Sequence, residues 1–357
     1  MRARRLTVPE LAALPAEQLR GAVLLGAVRL TDGLLPKGTR LDPATAGRLI
    51  GAAAAGAALD PVRLAWPDPG DLHEDDAAAR LAAAVSGPGV EPRAPRQSRL
   101  DLTARWDGVL HVRPAGLAAV NAIDPLEVFT LYTGQAVTAG EVVASVKVAP
   151  HLVPGAAVER GERLAGEAGP LIEVRPYRVL DVGAIAEEAM TAEALARFET
   201  GARRKVESLG SRFAGTILVG DRDPERAEQG CREALGRLAL ERGLPVVLVG
   251  GVSAGDPLSP FFAALGALGG QVVRRGVPAH PGSMIWLARL GETRLLGLPS
   301  CGMFSLATAA DLVLPRLLTG EAIEAADLAD LGHGGVLTRD MRFRFPRYAR
   351  DLPSPDT

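Results

Sequence analysis

From residue 176 onward the chain alternates short apolar runs with longer stretches of helical character. Residues 177–182, 215–219 and 244–249 read as strands, and residues 191–209 and 224–241 read as helices between them. Strands that are apolar throughout have no solvent face, so this alternation predicts a mostly parallel sheet covered by helices on both sides. A further helix, two strands and a last helix extend the pattern to residue 318. The expected fold class is α/β, with a C-terminal doubly wound domain over residues 176–320.

The first half has a different texture. Residues 109–112, 127–132 and 142–148 are strand-like runs separated by turn residues, including Thr133-Gly134 and Thr138-Ala139-Gly140. They predict a β-rich accessory domain over residues 99–175. Ahead of it, residues 86–98 hold three prolines and two glycines, a composition that marks a loop or subdomain edge. Residues 1–85 read as an α+β segment. Within it Asp42 is placed to cap a helix whose first position is Pro43, and an acidic run, Glu74-Asp75-Asp76, opens a helix through residue 85. Residues 321–357 remain as a C-terminal extension.

Composition narrows the partners. Forty basic and 42 acidic residues nearly cancel, for a formal charge of −2, so no global field holds nucleic acid or an anionic membrane. An anionic ligand has to be captured locally. The apolar run at residues 22–28 is far shorter than the roughly 18 residues a membrane span needs. Cys231 and Cys301 are the two thiols, without zinc spacing or a disulfide framework, which suggests a reducing, cytoplasmic setting.

Chemistry concentrates where apolar runs end. Residues 244–249 lead into Gly250-Gly251-Val252-Ser253-Ala254-Gly255-Asp256, with a helix expected from Pro257. The carboxyl ends of parallel strands face the ligand crevice in such folds. Glycines there let backbone approach a ligand, Ser253 offers a hydroxyl, and a helix N-terminus presents free N–H groups to an anion. Asp256 reads equally as an ordinary helix cap. A second turn follows residues 294–297, as Gly297-Leu298-Pro299-Ser300-Cys301-Gly302-Met303-Phe304-Ser305, and between the two lies the rigid turn Pro281-Gly282-Ser283. Cys301 at a helix start could be an activated thiolate, although a small residue filling a tight turn is the simpler reading. Lys147, in a strand of the β-rich region, is a candidate phosphate contact or a solvated strand lysine.

These three turns resemble, in order and spacing, the G-G-x-S-x-G, P-G-K-P and G-L-P-G-N-P motifs of MoeA-type molybdopterin molybdenumtransferases and of MoaB/Mog-like domains. Asp221-Arg222-Asp223-Pro224-Glu225 is similar to that family's D-D-P-E segment, and Leu35-Pro36-Lys37-Gly38-Thr39-Arg40-Leu41 to its L-P-x-G-T-x-L stretch. The resemblance covers residues 176–320 and implies molybdopterin, or its adenylylated form, as ligand. Molybdate and Mg²⁺ follow as associated ligands, and a homodimer as the assembly. It implies a binding set of Gly250, Gly251, Ser253, Gly255, Pro281, Gly282, Ser283, Pro299, Ser300, Cys301, Gly302 and Ser305, with Asp256 as the catalytic or cation-binding carboxylate.

The motifs also depart from the family. Ser283 stands where the family has lysine, and Ser300, Cys301 and Gly302 replace glycine, asparagine and proline. The acidic position after the first strand aligns with Val182-Gly183-Ala184-Ile185-Ala186, which carries no carboxylate. Since phosphoryl and metal chemistry rests largely on electrostatic positioning, binding is expected to outlast catalysis. Three readings stay open: a molybdopterin-binding protein of cofactor biosynthesis or delivery with residual molybdate insertion, a non-enzymatic scaffold or chaperone for a molybdenum-enzyme client, and a nucleotide-processing hydrolase on a related domain.

Overall fold

The C-terminal half forms six strands in one sheet, one more than its apolar runs predict. They are β1 (Asp181–Ala186), β2 (Arg212–Leu218), β3 (Val246–Gly250), β4 (Gln271–Arg275), β5 (Trp286–Leu290) and β6 (Thr293–Leu298), in the order β2-β1-β3-β6-β5-β4. β1 runs parallel to β2 and β3, and β3 parallel to β6, whereas β5 and β4 add antiparallel at one edge. Every residue of β3 is buried, as expected for a central strand with a layer on each side. The computed structural model describes residues 1–95, 99–298, 303 and 307–352.

Four helices supply those layers. On one face, Val182, Ala184, Leu248 and Leu296 pack with Phe198, Ala202 and Val206 of α1 (Ala192–Glu207) and with Val313 and Leu317 of α4 (Ala310–Leu318). On the other, Ile185, Val247, Val249 and Leu295 meet Cys231, Ala234 and Leu235 of α2 (Pro224–Leu235) and Phe261 and Leu265 of α3 (Pro260–Ala267). The period of two along each strand sends alternate side chains to the two cores. Residues beyond the sheet join the first core through Ile323, Leu328, Phe345, Tyr348 and Leu352.

Several element bounds differ from expectation. Residues 177–180 precede β1 rather than belong to it, residues 183–186, expected after the strand, lie within it, and α2 gives way to a π-helical stretch at Gly236–Glu241. The edge strand β4 has no uniformly apolar run to announce it, because its residues are half-buried or exposed. The helix expected at Pro257 begins at Pro260 with Ser259 as its cap. Both Asp256-Pro257 and Ser259-Pro260 fit the cap-then-proline pattern, but a start at Pro260 is the one that turns Phe261 and Leu265 into the core.

The chain divides into two units, one comprising Met1–Trp106, His111–Leu131 and Ala139–Val174, the other Asp107–Leu110, Tyr132–Thr138 and Arg175–Thr357. In the first, Asp42 caps the helix Pro43–Ala54 by accepting the Thr45 N–H at 2.7 Å, as its sequence position predicts. The helix Glu74–Val85 is capped by His73, whose ring accepts the Asp75 N–H at 3.2 Å. Strands Leu126–Thr130, Val142–Val148, Arg99–Ala104 and Val90–Pro92 form an antiparallel sheet in that order, accompanied by helices Pro114–Asn121 and Gly155–Ala168. Lys147 lies in its Val142–Val148 strand, with Glu127 and Arg99 as cross-strand partners. Among the described residues no helix is long and apolar enough to cross a membrane.

Candidate functional site

The loop after β3 sits at the carboxyl edge of the four parallel strands, and its glycines are required by what surrounds them. Gly251 has φ +89°, a left-handed conformation that strains any other residue, and a Cβ there would lie 2.9 Å from the Glu188 backbone nitrogen. A Cβ on Gly250 would meet Met303 Cε at 2.7 Å and Phe198. The Gly251 N–H points at Met303 Sδ, 3.1 Å away, and the buried Trp286 indole donates to the Val252 carbonyl at 3.0 Å. Ser253, Gly255 and Asp256 are exposed. The Ser253 hydroxyl oxygen accepts the Gly255 N–H at 3.2 Å, leaving its own O–H to donate. Asp256 accepts the Leu258 N–H at 2.9 Å, so it closes a turn and does not cap α3.

Two further segments meet this loop. The Ala254 N–H donates to the Met284 carbonyl at 3.3 Å, and a Cβ on Gly255 would touch Met284 Cε at 2.8 Å. On its other side the Pro281 carbonyl accepts the Ala309 N–H at 2.9 Å. Gly282, at φ +100°, lies so close to the start of α4 that a Cβ would sit 2.7 Å from Thr308 Cβ and 2.8 Å from the Ala309 nitrogen. Pro281 and Gly282 are buried by this packing, and of the candidate turn Ser283 alone is partly exposed. Thus Gly250, Gly251, Ser253, Gly255, Asp256 and Ser283 belong to one rim, and Pro281 and Gly282 hold it together from beneath. Pro299, Ser300, Cys301, Gly302 and Ser305 lie outside the described residues.

Two carboxylates lie at the same edge, directly after β1. Ala184 and Ala186 are buried inside β1, but Glu187 and Glu188 follow directly at its carboxyl end, where the Glu187 N–H donates to the Gly250 carbonyl at 2.9 Å. Burial first, then the charges of Glu188 and Asp256, push the Glu187 carboxyl above the usual carboxylate range. Two acidic residues immediately after an apolar run were the available signal. Next to them, the Gly220 N–H donates to the Glu187 carbonyl at 3.1 Å, which brings Asp221 and Asp223 to the same edge. Asp223 caps α2 through the Arg226 N–H at 3.0 Å, and the Arg226 guanidinium lies 3.8 Å from both aspartates.

The rim therefore combines serine O–H donors with carboxylate acceptors, a set able to read a polar heterocycle or a cation-bridged anion. Among the described residues no group of three or more His, Cys, Asp or Glu is arranged to hold a metal ion. Cys231 is buried in the core, and burial pushes its thiol up to about 12.

No protein-family model matches the chain, and no curated protein matches its sequence. Among solved structures it is similar to a molybdopterin biosynthesis MoeA protein from Pyrococcus horikosii, at 16% identity over 70% of this chain and 79% of that one, with a TM-score of 0.28. It is also similar to the molybdopterin biosynthesis enzyme MoaB from Thermus thermophilus, at 21% identity over 40% of this chain and 98% of that one, with a TM-score of 0.28. A NadC deletion mutant matches at 12% identity over 54% of this chain and 78% of that one, with a TM-score of 0.16. Scores this low carry no argument about the site.

Proposed function

We propose that this chain binds molybdopterin, or its adenylylated form, at the carboxyl edge of the parallel sheet and acts in molybdenum cofactor biosynthesis or delivery. The observation that supports this reading best is the meeting of the first two resembling segments, with Met303 of the third packed against Gly250 and Gly251. The loop from Gly250 to Asp256 is bonded to the turn after Ser283, and that turn is packed by Gly282 onto the start of α4. In such a site the Ser253 and Ser283 hydroxyls would donate to the ligand's phosphate. Glu187 and Glu188 would accept hydrogen bonds from the pterin ring. The family resemblance further suggests a homodimer.

Residual molybdate insertion would fall to Asp256, with Mg²⁺ recruited by the acidic rim and molybdate held there only through that cation. The serine at position 283, where the resembling motif has lysine, favours a carrier or scaffold over a full transferase. Purifying the protein from cells that make molybdopterin, followed by fluorescence of the oxidised pterin and metal analysis, separates these. Pterin with molybdenum supports insertion or delivery, and pterin alone supports a carrier. Protein that carries no pterin and binds none when purified molybdopterin is added leaves the scaffold for a molybdenum-enzyme client.

A further inference from the structure

The opposite edge of the same sheet holds a second cleft, of about 470 Å³, wholly within the second unit. Tyr177, just before β1, and Ser208, just before β2, line it together with Arg204, Arg347, Arg350 and Asp107. It lies at the amino ends of the strands, away from the rim described above. Its three guanidiniums are held by neutral acceptors. Arg204 donates to the Tyr348 carbonyl at 3.0 Å, Arg347 to the Thr138 hydroxyl at 2.8 Å and Arg350 to the Phe345 carbonyl at 2.9 Å.

Elsewhere in the chain arginines meet carboxylates, as Arg80 does with Glu162 at 2.6 Å and Arg316 with Glu321 at 2.6 Å. Arg204, Arg347 and Arg350 have no carboxylate within ion-pair distance among the described residues. A guanidinium carries five N–H donors, so one anchoring bond orients each fork and leaves the others to a ligand. A further donor is the Tyr177 hydroxyl, whose oxygen is buried without a hydrogen-bond partner. Burial first, and the Asp107 charge second, keep that phenol protonated well above its ordinary range. One carboxylate against three guanidiniums leaves the lining positive.

We infer that this cleft binds a small molecule bearing a phosphoryl group, held by Arg204, Arg347 and Arg350 with the Tyr177 hydroxyl as an added donor. Three guanidinium forks offer more donors than the two oxygens of a carboxylate can take up, whereas a phosphoryl group presents three oxygens to them. The volume suits a phosphate monoester of nucleotide size. The inference is independent of the pterin site.

The test is calorimetric titration of the full chain, in buffer free of phosphate and sulfate, with inorganic phosphate and separately with adenosine 5′-monophosphate. Saturable binding of at least one is expected. Arg347→Glu with Arg350→Glu should weaken it about a hundredfold or more, since both charged hydrogen bonds are lost. Arg160→Glu with Arg163→Glu, an equal charge change on exposed positions of the first unit, should leave it unchanged. If the double glutamate variant unfolds, Arg347→Gln with Arg350→Gln carries the same expectation. Tighter binding of the nucleotide than of phosphate identifies a monoester as the ligand, and equal binding identifies the phosphate ion. Absence of saturable heat with both ligands, or equal loss in the two double variants, overturns the inference.

Discussion

The first core of the second unit contains a charge that its stability should depend on. Lys205 of α1 and Asp311 of α4 are 3% and 0% exposed, and Lys205 Nζ lies 2.5 Å from Asp311 Oδ1. Asp311 also accepts the Tyr348 hydroxyl at 2.8 Å and, through Oδ2, the Thr308 N–H at 2.9 Å. One carboxylate thus ties α1, the start of α4 and the C-terminal segment together. Lys205→Met keeps the length and most of the packing but leaves the carboxylate buried without its counter-charge. Removing one partner of a buried pair costs about 3–5 kcal/mol. For a unit of this size that is a fall in thermal midpoint of roughly 6–20 °C. Adding Asp311→Leu removes the stranded charge, so the double variant should be more stable than Lys205→Met alone, even though the Thr308 N–H loses its acceptor.

The readout can be confined to the relevant unit. Trp66 and Trp106 belong to the first unit and Trp286 to the second. In a Trp66→Phe, Trp106→Phe background the fluorescence transition in urea therefore reports the second unit alone. A loss below about 1 kcal/mol for Lys205→Met would refute the reasoning, because it would mean that water reaches and solvates Asp311 in place of the ammonium.

Four further outcomes are expected. Tyr348→Phe removes one hydrogen bond to the same carboxylate and should cost about 1–2 kcal/mol in the same urea assay. Gly282→Ala forces a side chain against the start of α4 from a left-handed backbone, so it should destabilise by roughly 1–3 kcal/mol and reduce retained pterin. Glu187→Gln should raise the thermal midpoint near neutral pH. Its folded-state carboxyl is pushed up, so the stability linked to its protonation is complete below the ordinary carboxylate range and is lost as pH rises through the raised value. The midpoint gain should vanish when the comparison is repeated below about pH 4. Asp256→Ala, at an exposed turn, should leave pterin content unchanged while abolishing molybdate insertion if that residue is the cation ligand, and unchanged insertion would remove it from the mechanism.

Local patterns were enough for part of this molecule. The apolar runs mark β3 and β6 because a strand buried on both faces tolerates no polar alternation, and Asp42 marks a helix start because a cap bonds to its own chain three residues on. The loop after β3 is legible for the same reason, its glycines being set by a sharp local path. What tertiary structure decided is everything that depends on who lies opposite. Ser259 rather than Asp256 caps α3 because of which phenylalanines the core accepts. Lys205 is a buried charge because Asp311 and Tyr348, remote in sequence, meet it there. Glu187 joins the rim through its bond to Gly250, and Arg204, Arg347 and Arg350 share a cleft although they come from distant segments. A sequence states each residue's own preferences, but desolvation, ion pairing and the gathering of donors arise between segments, and the fold alone brings those segments together.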